Sequence, residues 1–164
     1  MAELKNLEDL LKHELMELCL VEDHLIEVMP GMAERANDEL LKMELENHLE
    51  ETKVQRERLR KIFGMMNIEM DAELIASPIE GMVKLSQDLL AEDASPEAKD
   101  AGLIAAAQKI EHYEISAYGT AAHYAERLGH LEAAQLLRET LDEEKMADTK
   151  LNDLAKNSIN LKAM

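Results

Sequence analysis

Leu4, Leu7, Leu11, Leu15, Leu18, Leu25 and Met29 recur at spacings of three, four and seven, the period of one buried helix face. The stripe predicts a long first helix that ends or kinks around Pro30-Gly31, since an interior proline removes a backbone donor and clashes with the preceding turn. The pattern resumes through Ala36. Asn37 then reads as the N-cap of a second helix, with Asp38 and Glu39 in its first turn and an end near Gly64. Between Met65 and Ala76 the period weakens. Ser77-Pro78-Ile79-Glu80 has the order of N-cap, first-turn proline and capping-box glutamate and predicts a short helix to about Glu92. Ser95-Pro96-Glu97 opens the next helix in the same way, Gly129 closes it after Leu128, and a last helix fills about 131–156.

No stretch alternates as a strand does, β-branched residues are few, and no Asn-Gly hairpin signal occurs. The fold class is therefore all-α. Two helix hairpins, about 3–64 and 97–157, joined by a crossover with a short helix at about 78–92, make a ferritin-like four-helix bundle in one domain, 1–164. An internal repeat agrees with two hairpins. A shift of 92 positions lays Ala33-Glu34-Arg35 on Ala125-Glu126-Arg127 and Glu22 on Glu114, and pairs Leu49, Glu51, Lys53 and Leu59 with Leu141, Glu143, Lys145 and Leu151.

Composition narrows the partners. A chain of 164 residues can bury a core without disulfides. With aromatics at 2% and 11 methionines, that core is built of Leu, Met, Ile and Ala. The formal charge of −17 disfavours nucleic acid and anionic membranes and favours cations. A lone cysteine, Cys19, excludes an internal disulfide. No signal segment or bilayer-spanning run is visible, so the cytoplasm is the expected compartment.

The informative charges are those that interrupt an apolar stripe. Glu22 lies between Leu18 and Leu25. Helix three reads Ile104, Ala107, Glu111, Glu114, Tyr118, Ala121, Ala125, and helix four reads Leu137, Leu141, Glu144, Asp148, Leu151, Ala155. Helix two carries Leu41, Leu45, His48, Thr52, Gln55, Leu59 and Ile62. Glu51 sits beside that stripe, about 60° from His48 and about 40° from Gln55 at roughly 100° per residue. The repeat pairs Glu51 with Glu143, whereas the apolar stripe selects Glu144. A one-residue slip in the repeat reconciles them, with Glu143 as the alternative.

A buried carboxylate costs several kcal/mol unless compensated, and the acids Glu22, Glu51, Glu111, Glu114, Glu144 and Asp148 at one level of a core would repel one another. Divalent metal resolves this, and oxygen and imidazole ligands suit iron or manganese. Competing explanations are plain. Glu111 and Asp148 could pair with Lys or Arg, His48 could be a core histidine satisfied by a carboxylate, and Tyr118 a core tyrosine with its hydroxyl bonded. Cys19 reads as a small buried apolar residue, and Gly119 points to close helix packing.

These residues carry a family likeness. Leu20-Val21-Glu22-Asp23-His24-Leu25, His48-Leu49-Glu50-Glu51-Thr52 with Gln55, Ile79-Glu80-Gly81-Met82, the 105–114 segment from Ala105 to Glu114, and Glu143-Glu144-Lys145 with Asp148 resemble the YciE/YciF group of ferritin-like bacterial stress proteins. The resemblance covers nearly the whole chain. It implies a rubrerythrin-like homodimer with two iron ions, manganese being the alternative, and a stress-linked role. The candidate metal ligands, read from the interrupted stripes and supported by the likeness, are Glu22, Glu51, Glu111, Glu114, Glu144, Asp148 and His48. Many ferritin-like proteins carry Glu-x-x-His on helices two and four, but here Val54 and Ala147 stand three positions after Glu51 and Glu144. The expected activity is a ferroxidase- or peroxidase-like reaction with dioxygen or peroxide. The alternative is a non-catalytic structural or interaction protein.

Overall fold

The computed structural model describes residues 4–70 and 77–164. All regular structure among them is helical: α1 (Leu7–Arg35), α2 (Glu39–Met66), α3 (Glu80–Ala91), α4 (Pro96–Arg127), α5 (Leu131–Leu154), a π-helical turn (Ala155–Ile159) and α6 (Asn160–Lys162). Helices α1 and α2 form one hairpin and α4 and α5 the other. The hairpins pack α1 on α4 and α2 on α5, and α3 lies against α4 and touches α1.

Several boundaries differ from those the pattern predicts. Leu4 precedes the helix, which is capped by Asn6 accepting from the Asp9 N–H. Pro30 does not end α1, which continues to Arg35. Pro30 lies on the exposed side, where water can serve the carbonyl deprived of its helical donor. Asp38, not Asn37, caps α2, accepting from the N–H groups of Leu40 and Leu41 at 3.0 and 3.3 Å. The Asn37 N–H instead reaches Asp100 Oδ1 at 2.8 Å and the Asp38 N–H reaches Asp100 Oδ2 at 2.9 Å. The nearly fully buried Asp100 therefore pins the first hairpin's turn to α4.

Helix α2 passes Gly64 and ends at Asn67, whose left-handed φ of 52° stops it. Part of the weakly periodic stretch, 71–76, lies outside the described residues. Ser77 does not cap α3. Its carbonyl accepts from the Glu80 N–H at 3.1 Å in a preceding turn, and Glu80 becomes the first helical residue. Ser95 does cap α4 as predicted, accepting from the Ala98 N–H. Gly129, with φ of 85°, closes α4 while the His130 N–H bonds the Ala125 carbonyl at 2.9 Å. The last helix runs past Lys156, because Ala155 and Ile159 still bury apolar surface against the end of the bundle. Gly119 is not a close approach, since an added Cβ would meet Leu141 only at 3.9 Å. Gly102 is one, because a Cβ there would run into the Leu89 side chain of α3.

The core is layered along the bundle. One apolar cluster gathers Leu11, Leu15, Leu18, Leu59, Ile62, Ala121 and Leu137, and another Met32, Leu41, Leu45, Leu103, Ile104, Leu151 and Ile159. Between these ends the buried side chains turn polar: Glu22, His48, Thr52, Gln55, Glu111, Glu114 and Glu144.

Candidate metal centre

Helical spacing builds the polar layer. Glu111 and Glu114 stand one turn apart on α4 and are 2% and 1% exposed, with Glu144 of α5 fully buried and His48 of α2 at the layer's edge. Each of these four offers a ligand atom within 4.8 Å of all the others. His48 Nε2 lies 3.2 Å from Glu111 Oε1 and 3.9 Å from Glu144 Oε2. Gln55 Nε2 donates to Glu144 Oε1 at 2.5 Å.

Burial drives the electrostatics. It pushes Glu114 and Glu144 well above the ordinary carboxylate range, with repulsion from neighbouring acids adding to the effect. Burial lifts Glu22 to about 8, although the Tyr118 hydroxyl and His48 pull the other way. For His48, burial opposes protonation but is outweighed by Glu111, Glu51 and Glu144, so its pKa stands well above its usual value. Burial and the Glu22 charge hold the Tyr118 hydroxyl protonated far into alkali.

Glu22 Oε2, Glu111 Oε2, both oxygens of Glu114 and Glu144 Oε2 are buried and receive no hydrogen bond from the described residues. Unpaired buried acceptors are rare because each is costly. Carboxylate oxygens with one imidazole are a donor set that suits divalent cations. The residues present therefore fit a divalent cation, which would compensate the buried oxygens of Glu111, Glu114 and Glu144.

The remaining predicted residues stand apart from the four. Glu22 is fully buried, and its Oε1 accepts a hydrogen bond from the Tyr118 hydroxyl. Glu51 is 40% exposed at the rim, with Oε2 3.6 Å from His48 Nδ1, and the imidazole beside it lowers its pKa. Asp148, half-buried, accepts from Gln108 Nε2 at 3.0 Å and lies 3.5 Å from the exposed His112. Val54 is exposed and Ala147 buried, so neither Glu-x-x-His position offers a donor. Cys19 is buried and its thiol is pushed up to about 12, chiefly by burial.

Glu143 is turned aside by Arg58, whose Nη1 and Nη2 lie 2.5 and 2.7 Å from its carboxylate. The repeat has not slipped by a residue to achieve this. Arg35 and Arg127 end α1 and α4, and Glu39 and Leu131 begin α2 and α5, each pair 92 apart. Glu51 and Glu143 are thus true counterparts, both at the rim, and Glu144 corresponds to Thr52. Sequence reasoning overlooked Arg58 and Asp100. Arg58 finds its partner on α5 and Asp100 finds its partners in the α1–α2 turn, so neither interrupts an apolar stripe as Gln55 does.

A small cavity of about 20 Å³ adjoins the group, walled by Leu25, Met29, Met32, Leu45, Ala107 and Ile110, with His48 and Glu111 at its polar side. No helix among the described residues is long and apolar enough to cross a membrane.

Residues 6–164 match the family model described as a domain of unknown function, DUF892. Protein YciF of Escherichia coli K12 is 39% identical over 160 residues, which is 98% of this chain and 96% of that protein. The crystal structure of that E. coli stress protein superposes with a TM-score of 0.89, covering 96% of this chain and 99% of the other. YcfI from Rhodopseudomonas palustris, provisionally described as a structural protein, is 38% identical with a TM-score of 0.86, over 92% and 95% of the two chains. A Xanthomonas campestris protein at 21% identity and a TM-score of 0.75, covering 93% of each chain, shares the fold.

Proposed function

The chain belongs to the DUF892 family, and from that membership and its buried acids we propose a ferritin-like carboxylate protein that binds iron, or manganese, in a bacterial stress response. The observation that carries the proposal is the four-helix polar layer, where Glu111, Glu114 and Glu144 bury oxygens that receive no hydrogen bond from the described residues. His48, Glu111, Glu114 and Glu144 would hold the metal. Glu22 and Glu51 beside them enlarge the donor set toward the two ions of a di-metal centre, with Asp148 further out. A redox-active ion bound there would supply one-electron chemistry toward dioxygen or peroxide.

The chain's own part is positioning and exclusion. Gln55 fixes one oxygen of Glu144, leaving the other free to ligate. The Thr52 hydroxyl donates to the His48 carbonyl at 2.9 Å, so it does not compete for the carboxylates. Apolar layers on both sides keep water out. The apolar cavity beside His48 and Glu111 can hold one small molecule, and its lining favours dioxygen over hydrogen-bonding peroxide. The protein would act in the cytoplasm as a homodimer.

A second reading, a non-catalytic structural protein, draws on Val54 and Ala147, which leave both Glu-x-x-His positions without an imidazole, and on the R. palustris relative. Dioxygen and peroxide consumption after anaerobic Fe(II) loading separates the two. Turnover above that of a Glu114→Ala variant supports an oxidase. Iron bound without turnover supports the structural reading.

A further inference from the structure

The repeat allows one half of the polar layer to be compared with the other. Inward positions keep register across the 92-residue shift: Leu11 with Leu103, Leu18 with Ile110, Glu22 with Glu114 and Ala33 with Ala125 are all buried. By the same shift, His48, Glu111, Glu114 and Glu144 correspond to Thr140, Cys19, Glu22 and Thr52. These counterparts are also at most 1% exposed, so they face the core as their partners do. Of the four donors, one carboxylate survives. Two hydroxyls and a thiol are poor ligands for a hard divalent cation beside carboxylates and an imidazole.

The mirrored hydroxyls and one oxygen of Glu22 are also engaged. Thr52 Oγ1 donates to the His48 carbonyl, and Thr140 Oγ1 accepts from Arg58 Nη1 at 3.2 Å. Glu22 Oε1 accepts from the Tyr118 hydroxyl. Ile26 is the counterpart of Tyr118, so this hydrogen bond has no equivalent on the other side.

We infer that the centre is one-sided: His48, Glu111, Glu114 and Glu144 hold a first divalent cation firmly, and the mirrored position takes a second only weakly. Tyr118 is a positioning residue that takes one of the two Glu22 oxygens, so that only Oε2 is left for a cation. The inference rests on the metal-binding reading above and specifies how its ions are distributed.

Titration of the full-length, metal-free protein with Mn(II), counting free ion by electron paramagnetic resonance, tests it. The expected result is one equivalent bound at least tenfold more tightly than any second. Tyr118→Phe, checked for folding by circular dichroism, should tighten the second equivalent at least threefold and leave the first unchanged. Two equivalents within tenfold of each other in the wild type would overturn the one-sided centre and leave the metal-binding reading standing. An unmoved second equivalent in Tyr118→Phe would overturn the role given to Tyr118. No binding of Mn(II) or of anaerobic Fe(II) would overturn both the inference and the reading beneath it.

Discussion

Arg58 grips Glu143 through two nitrogens, at 2.5 and 2.7 Å, and holds it at the rim while the next residue, Glu144, is fully buried. Two adjacent acids thus have opposite fates because α5 turns about 100° between them. The expected consequence is a sharp difference in mutants. Glu144→Gln should weaken Mn(II) binding at least tenfold, whereas Glu143→Gln should change it less than threefold. Isothermal titration of both variants checks this, and equal losses would contradict the assignment.

The raised carboxyl pKa values make the metal-free fold sensitive to pH. In the unfolded chain Glu22 titrates at its ordinary value of 4.5 and in the folded chain at about 8, with Glu114 and Glu144 shifted in the same direction. Between these values the folded state binds more protons than the unfolded one, so stability falls as pH rises. His48, also raised, loses its contribution in the same direction above its ordinary 6.5. Urea midpoints of the metal-free protein should therefore be lower at pH 8 than at pH 5. Saturating Mn(II) should narrow the gap, because a cation replaces the protons. A midpoint that rises from pH 5 to pH 8 without metal would contradict the account.

Asp100 accepts from two consecutive backbone N–H groups of the α1–α2 turn. Asp100→Ala removes the acceptor of both and should cost about 1 to 2 kcal/mol, since the two N–H groups are only part-buried and water can partly replace the carboxylate. Chemical denaturation measures it. A loss below about 0.5 kcal/mol would show that the turn does not depend on this anchor.

Two glycines of α4 should respond with opposite signs. Gly119→Ala adds a methyl at ordinary contact distance from Leu141 and gains helix propensity, so it should stabilise by about 0.5 to 1 kcal/mol. Gly102→Ala forces Leu89 away from α4, and overpacking of this kind costs about 1 to 3 kcal/mol, which exceeds the propensity gain. Thermal melts of the two variants decide it.

The bundle was legible because its signals are local and periodic. The leucine stripe of α1, the Ser95 cap and Gly129 each declare themselves within a few residues. The misread boundaries are those where a distant partner decides. Asn37 looked like a cap, but Asp100, 63 positions away, claims its N–H. Pro30 looked like a stop, yet neighbouring helices bury Met29, Met32 and Ala33 and carry α1 through it. At the centre, stripe interruption located Glu22, Glu111, Glu114, Glu144 and His48, since the cost of burying a charge makes such residues conspicuous. It could not separate the core from the rim. Glu51 and Asp148 lie at angles where a long or short side chain reaches either, and only packing sends them outward.

The most direct test is elemental analysis of protein purified without chelators or an affinity tag, beside a Glu114→Ala variant. Glu114 is the natural target, because both of its oxygens are buried and receive no hydrogen bond from the described residues. The account predicts at least one equivalent of iron or manganese in the wild type and less than a tenth of an equivalent in the variant. Absence of metal from both proteins, even after anaerobic Fe(II) loading, would contradict it.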